Sequence, residues 1–223
     1  MPKTSGPKGP GSKGNGRSTR SRPTDDELLD AALSVIAEVG ADRATMDMIA
    51  LRADTSRVTL YAHFGARDAL VEAVIDRELR ALTAWKTAAY DKGDEMSYGA
   101  HIRYSVESLF EYARRHPEGF RVLLTNRDEV GDTGRRLSTA LAPKVADRLR
   151  AAFATRGQRM EESAEILASM LVGLTLDVAY RAVIVSGADI DASCAFAVTS
   201  AMAVLRTIDV AQMHAIDESL ASN

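Results

Sequence analysis

Apolar residues recur in this chain at helical spacing almost throughout, and no stretch alternates with period two between turn signals. A sheet therefore has no candidate strands, and the expected fold class is all-α. Leu28, Ala32, Val35, Ile36 and Val39 define a first helix, which Gly40 stops as a left-handed cap. Thr45 is a good N-cap for a short helix reaching about Ala53, Ser56 caps a third ending near Phe64, and a fourth follows Gly65 from Arg67 to about Thr87. Beyond residue 90 the predicted helices lengthen to Tyr98–Arg115, Pro117–Thr125, Arg135–Arg156, Glu161–Val185 and Ile190–Ile208. The breaks between them carry His116-Pro117, Gly131 with Gly134, Gly157 and Ser186-Gly187.

The first 24 residues stand apart. They hold six of the 28 basic residues, no acid, five of the fifteen glycines and four of the six prolines. Such a composition cannot bury enough apolar surface to offset its ordering entropy, so a disordered basic arm is expected over residues 1–24. The arm is +6 and the rest of the chain −9, which points to a polyanion as partner of the arm.

Several function classes drop out. One cysteine, Cys194, excludes a disulfide scaffold and a multi-cysteine zinc site. The four histidines, His63, His101, His116 and His214, include no i, i+4 pair, so no metal site is expected. Gly9-Pro10-Gly11-Ser12-Lys13-Gly14 matches GxGxxG literally, but prolines surround it and no strand precedes it, so no dinucleotide cofactor is implied. There is no GxSxG or HExxH, and no catalytic constellation, so the chain is not read as an enzyme. The start lacks the apolar core of a secretory signal. Ile166 to Val185 is long enough to raise the membrane question, yet Asp177 and Arg181 would each cost roughly 2.5–3.5 kcal/mol at a bilayer centre. A helix buried in protein is expected there, in a soluble cytoplasmic protein without a membrane partner.

Thr45 to Phe64 carries the functional reading: a short helix, a tight turn and a second short helix. Ile49 and Ala53 on the first, with Leu60 and Phe64 on the second, form an apolar patch that locks them together. At 100° per residue Val58 and Ala62 then point away from that patch, flanked by Thr59 and Tyr61. Small side chains, a hydroxyl, an aromatic ring and Arg57 on one outer face suit a helix entering a major groove, although a helical hairpin with a merely solvated face fits the same pattern.

Ala50-Leu51-Arg52-Ala53, then Ser56-Arg57-Val58-Thr59-Leu60-Tyr61-Ala62-His63-Phe64 and Arg67-Asp68-Ala69-Leu70, resemble the tetracycline-repressor (TetR) family. So does Leu28-Leu29-Asp30-Ala31-Ala32 with Gly40, and the resemblance runs without a gap over residues 25–75. It implies a dimeric, ligand-responsive transcription regulator, most often a repressor, on double-stranded DNA with a near-palindromic operator. It divides the chain into the arm, a helix-turn-helix head at 25–82 and an effector-binding and dimerisation part at 83–223. By position, Thr45 at the start of the second helix, with Tyr61, His63 and Arg67, would hold the DNA backbone, while Arg57, Val58, Thr59 and Ala62 face base edges; Ser56, the cap of the third helix, belongs to the same DNA-binding set. A packed structural role is the other reading of His63. The chain departs from the family pattern at Asp54, where a glycine is usual in the turn, at Asp47, where a basic residue is common, and at Met48 and Ala62.

The remainder implies less. Ser169 and Gly173 on one helix, and Ser193, Ala197 and Ala201 on the next, are small-residue stripes that would let helices of two subunits approach closely; they would equally serve packing within one chain. Trp85, Tyr104, Phe110, Phe120, Leu124, Met170, Leu174 and Tyr180 are candidates to line an effector pocket, with His101, Asn126 or Asp177 as polar anchors. A DNA-binding protein of architectural type, with the same head and no effector, is the competing expectation. An apolar cavity in the C-terminal part would separate the two.

Overall fold

A computed structural model describes residues 22–125 and 133–222, so most of the basic arm, the proposed anchor Asn126 and Asn223 lie outside the described residues. Within them every regular element is a helix, as the periodicity predicts.

Helix α1 (Asp25–Val39) starts at Thr24, whose hydroxyl accepts the Glu27 N–H while Glu27 accepts the Thr24 N–H. This reciprocal box satisfies two otherwise orphaned donors. Leu28, Ala31, Ala32, Val35 and Ile36 bury one face. Gly40 ends the helix at φ +85°, as expected of a glycine stop. Helices α2 (Met46–Arg52) and α3 (Arg57–Phe64) are capped by Thr45 and Ser56, each accepting a backbone N–H three residues on. Asp54 in the turn adopts φ +49°, the left-handed conformation for which a glycine is usual.

Helix α4 (Arg67–Lys92) runs five residues beyond the expected end near Thr87, and the division expected at residues 82–83 falls inside it. Its 26 residues extend about 39 Å. The helix joins the α1–α3 cluster to α5 (Tyr98–Arg115), α6 (Pro117–Thr125) and α7 (Thr133–Ala154). It ends at Gly93, where a Cβ would lie 2.5 Å from Nδ1 of His101, so the crossing onto α5 requires glycine.

Helices α8 (Glu162–Ala179) and α9 (Ile190–Thr207) complete the bundle, α8 against α7 and α9 against α5 and α8. The regular helix expected to run to Val185 stops at Ala179, and Tyr180–Val185 forms a wider π turn. Two segments, Glu162–Val185 and Ile190–Thr207, are long and apolar enough to cross a bilayer by composition alone. The expectation that the first is buried in protein is half right. Leu167, Leu171 and Leu176 face inward, whereas Ile166 and Met170 are 48% and 46% exposed. A tenth helix, α10 (Val210–Ala221), was not expected. Asp209 caps it, and its Asp217 carboxylate accepts N–H groups of Glu161 and Ser163, fastening the chain end to the start of α8.

Candidate nucleic-acid interface and the cavity behind it

The α2–α3 pair meets through Ile49 and Leu60, both fully buried. That burial fixes the rotation of α3. Val58, 77% exposed, and Tyr61, 50% exposed, therefore face outward with Arg57 and Ala62, on the side the helical wheel predicts. Thr59 is half-buried, and its hydroxyl lies 3.0 Å from that of Ser56. Arg57 reaches back to Asp47 of α2, with Nε 3.0 Å from the carboxylate. Leu51, at the end of α2, is 84% exposed and extends this surface; the sequence reading did not single it out.

Two of the expected backbone-gripping residues are engaged in holding the head together. The Nδ1–H of His63 donates to Asp25 in the first turn of α1, and its ring is largely buried. Arg67 donates from Nε to the Ala44 carbonyl at 2.9 Å, from Nη2 to the Ala41 carbonyl and from Nη1 to Asp68 at 2.7 Å. It ties the start of α4 to the loop before α2.

Behind the head, a cavity of about 70 Å³ lies among α4, α5, α7, α8 and α9. Leu109, Leu141, Val145, Leu171, Leu176 and Leu205 supply apolar walls, and Lys86, Tyr90, Tyr98, His101 and Arg148 the polar ones. Of the expected lining residues only His101 belongs to it. Trp85, Tyr104 and Phe110 line an open groove with Glu107, Glu111 and Arg114, and the Trp85 indole donates to the Ser108 carbonyl at 2.8 Å. Phe120 and Leu124 are core residues of α6, Met170 and Asp177 are exposed on α8, and Leu174 and Tyr180 are half-buried outside the cavity. The cause is one of phase. Both α5 and α8 carry large side chains on more than one face, so composition does not reveal which face turns inward.

The small-residue stripes divide in the same way. Ser193, Ala197 and Ala201 are buried within the chain's own bundle, which corrects their assignment to a subunit interface. Ser169 and Gly173 remain on the exposed face of α8, beside Ile166 and Met170; Phe196 of α9 is 65% exposed.

A family model for bacterial regulatory proteins of the tetR family matches residues 28–74. The HTH-type transcriptional regulator UidR of Escherichia coli K12 is 31% identical over 172 residues, which cover 73% of this chain and 81% of UidR. The chain belongs to the TetR family. The HTH-type transcriptional activator FasR of Mycolicibacterium smegmatis is 32% identical over 116 residues, 51% of this chain and 52% of FasR, so the match spans about half of that relative. A TetR-like transcriptional regulator from Rhodococcus sp. RHA1 shares the fold at a TM-score of 0.65 and 25% identity, over 82% of this chain and 96% of its own. As a TetR-family member the chain is a DNA-binding transcriptional regulator with an N-terminal helix-turn-helix and a helical C-terminal part.

Lys86 is the cavity residue the sequence reading missed. It occupies the buried face of α4 one turn beyond Leu82 and three residues before Ala89. A lysine at i+4 from a core leucine, within an apolar stripe, was the available signal.

Proposed function

We propose that this TetR-family regulator is a cytoplasmic homodimeric repressor, held on a near-palindromic operator and released by a small-molecule effector bound in the cavity. In this reading residues 25–82 form the DNA-binding head, residues 83–223 bind effector and partner subunit, and the arm adds charge. Arg57, Val58, Thr59 and Ala62 face base edges, while Thr45, Ser56 and Tyr61 contact the backbone. His63 and Arg67 act on DNA through the shape of the head, given the bonds they make to Asp25 and to the Ala41 and Ala44 carbonyls. Regulation rather than catalysis, with no cofactor, fits a family of transcription factors.

The observation that carries the effector half is the position of the cavity. Lys86 and Tyr90 on its wall belong to α4, the same helix whose first residue, Arg67, braces the head. Nineteen residues of continuous helix separate Lys86 from Arg67, about 28 Å. A ligand that spreads α4 from α5 and α7 would therefore displace the head as a lever. The same cavity disfavours an effector-independent architectural protein.

Footprinting of purified protein on genomic fragments tests the proposal. A two-fold site with half-sites about one helical turn apart, ~34 Å, or somewhat more, is expected. Protection of one unpaired half-site by a monomer would overturn it.

A further inference from the structure

We propose that the effector bears a carboxylate at the end of a short apolar chain, and that Lys86 is the residue that binds this carboxylate; the inference rests on the cavity being the effector site.

Lys86 is buried, and its ammonium meets only neutral groups. It donates to the Ser105 carbonyl, lies 3.3 Å from the Ser105 hydroxyl and 2.8 Å from the Ser108 hydroxyl, and stands 5.4 Å from the centre of the Tyr90 ring. Among the described residues no carboxylate pairs with it. A buried ammonium without a counter-ion is costly, and the cost falls when a ligand brings the missing anion. Burial has pushed this amine down to about 7 from the usual 10.5.

The groups around it reinforce the sign. From α4 comes Tyr90, from α5 Tyr98 and His101, and from α7 Arg148, all of them neutral or cationic. Arg148 Nη2 and His101 Nδ1 both donate to the Gly93 carbonyl at one edge of the cavity. The Tyr98 hydroxyl is buried without a hydrogen-bond partner among the described residues. Burial raises it to about 12, so it stays protonated as a donor. The rest of the wall is aliphatic apart from Thr175, whose hydroxyl donates to the Leu171 carbonyl at 2.8 Å. A volume of about 70 Å³, at roughly 10–15 Å³ for each water-sized position, accommodates a chain of about six carbons.

Calorimetric titration of the full-length protein at pH 8 with sodium hexanoate and with 1-hexanol provides the test. Hexanoate is expected to bind at least about tenfold tighter than hexanol, the scale of a charge-assisted hydrogen bond in a dry site. Pairing also restores the proton to Lys86, so binding takes up about one proton at pH 8 and nearly none at pH 6, read from buffers of different ionisation enthalpy. Lys86→Met should abolish the preference for hexanoate while hexanol binding stays within about twofold, since methionine keeps the apolar stem. Should that variant not fold, the wild-type affinity ratio and proton uptake decide alone. Hexanol binding as tightly as hexanoate would overturn the acidic class and leave the effector site standing. Hexanoate binding without proton uptake, or retained in Lys86→Met, would place the carboxylate elsewhere and overturn the assignment. If neither probe binds, the effector reading fails, and this inference with it.

Discussion

Arg57 and Asp47 meet across the helix-turn-helix on a largely solvated surface, and that contact sets what Arg57 can offer DNA. Exposed ion pairs of this kind are worth roughly 0–1 kcal/mol, so a phosphate or a guanine edge competes readily for the guanidinium. The carboxylate left behind would still repel the DNA backbone. Asp47→Ala is therefore expected to tighten operator binding by about three- to tenfold and to steepen its salt dependence. Fluorescence anisotropy at several salt concentrations measures both. Unchanged affinity and slope would place α2 away from the phosphates.

At the scale of elements, α1, α2 and α3 were legible because each starts on a side chain that caps it. Thr45 and Ser56 cap, Gly40 turns left-handed, and Leu60 is the one fully buried residue of α3, with Phe64 packed on the same side, so rotation as well as extent could be read. The C-terminal helices offered extent without rotation. In α8 and α9 leucine, methionine, alanine and serine occupy every face, and burial had to be decided by neighbours that a helical period does not encode. That is why Ser193, Ala197 and Ala201 turned out to pack inward while Phe196 points out. Helix α10 was not expected although Val210, Met213, Ile216 and Leu220 recur at helical spacing; the stripe is short, and only Met213 of it is buried. The exposed side of α8 and α9, with Ile166, Met170 and Phe196, is the face we assign to the partner subunit. Phe196→Arg should leave the fold intact, because the ring is 65% exposed, and should yield monomers with operator affinity reduced by at least about tenfold. Sedimentation analysis beside thermal melting distinguishes the outcomes. A dimer of unchanged stability would move the interface to another face.

For the whole molecule the decisive quantity is the distribution of charge. Residues 25–82 carry twelve acids against six arginines, so the head proposed to sit on DNA is itself −6. Of those arginines, Arg52, Arg67 and Arg77 are already engaged with Glu38, with Asp68 and loop carbonyls, and with Asp30 and Glu78. A DNA-binding head with that balance needs cations from elsewhere, and the +6 arm joins it directly before α1. From there a basic segment can follow the backbone or enter the minor groove. Each phosphate neutralised contributes roughly −0.9 to the slope of log affinity against log salt on duplex DNA. If three arm charges in each subunit engage, deletion of residues 1–22 should flatten the slope of a dimer by about five units. The measurement is a salt titration of full-length and truncated protein on one operator, with the melting temperature as a control. Since the deletion stops short of the Thr24 cap, the head should melt as before. Equal slopes would show that the arm takes no part in binding, and that the outward cations of the head suffice despite its net charge.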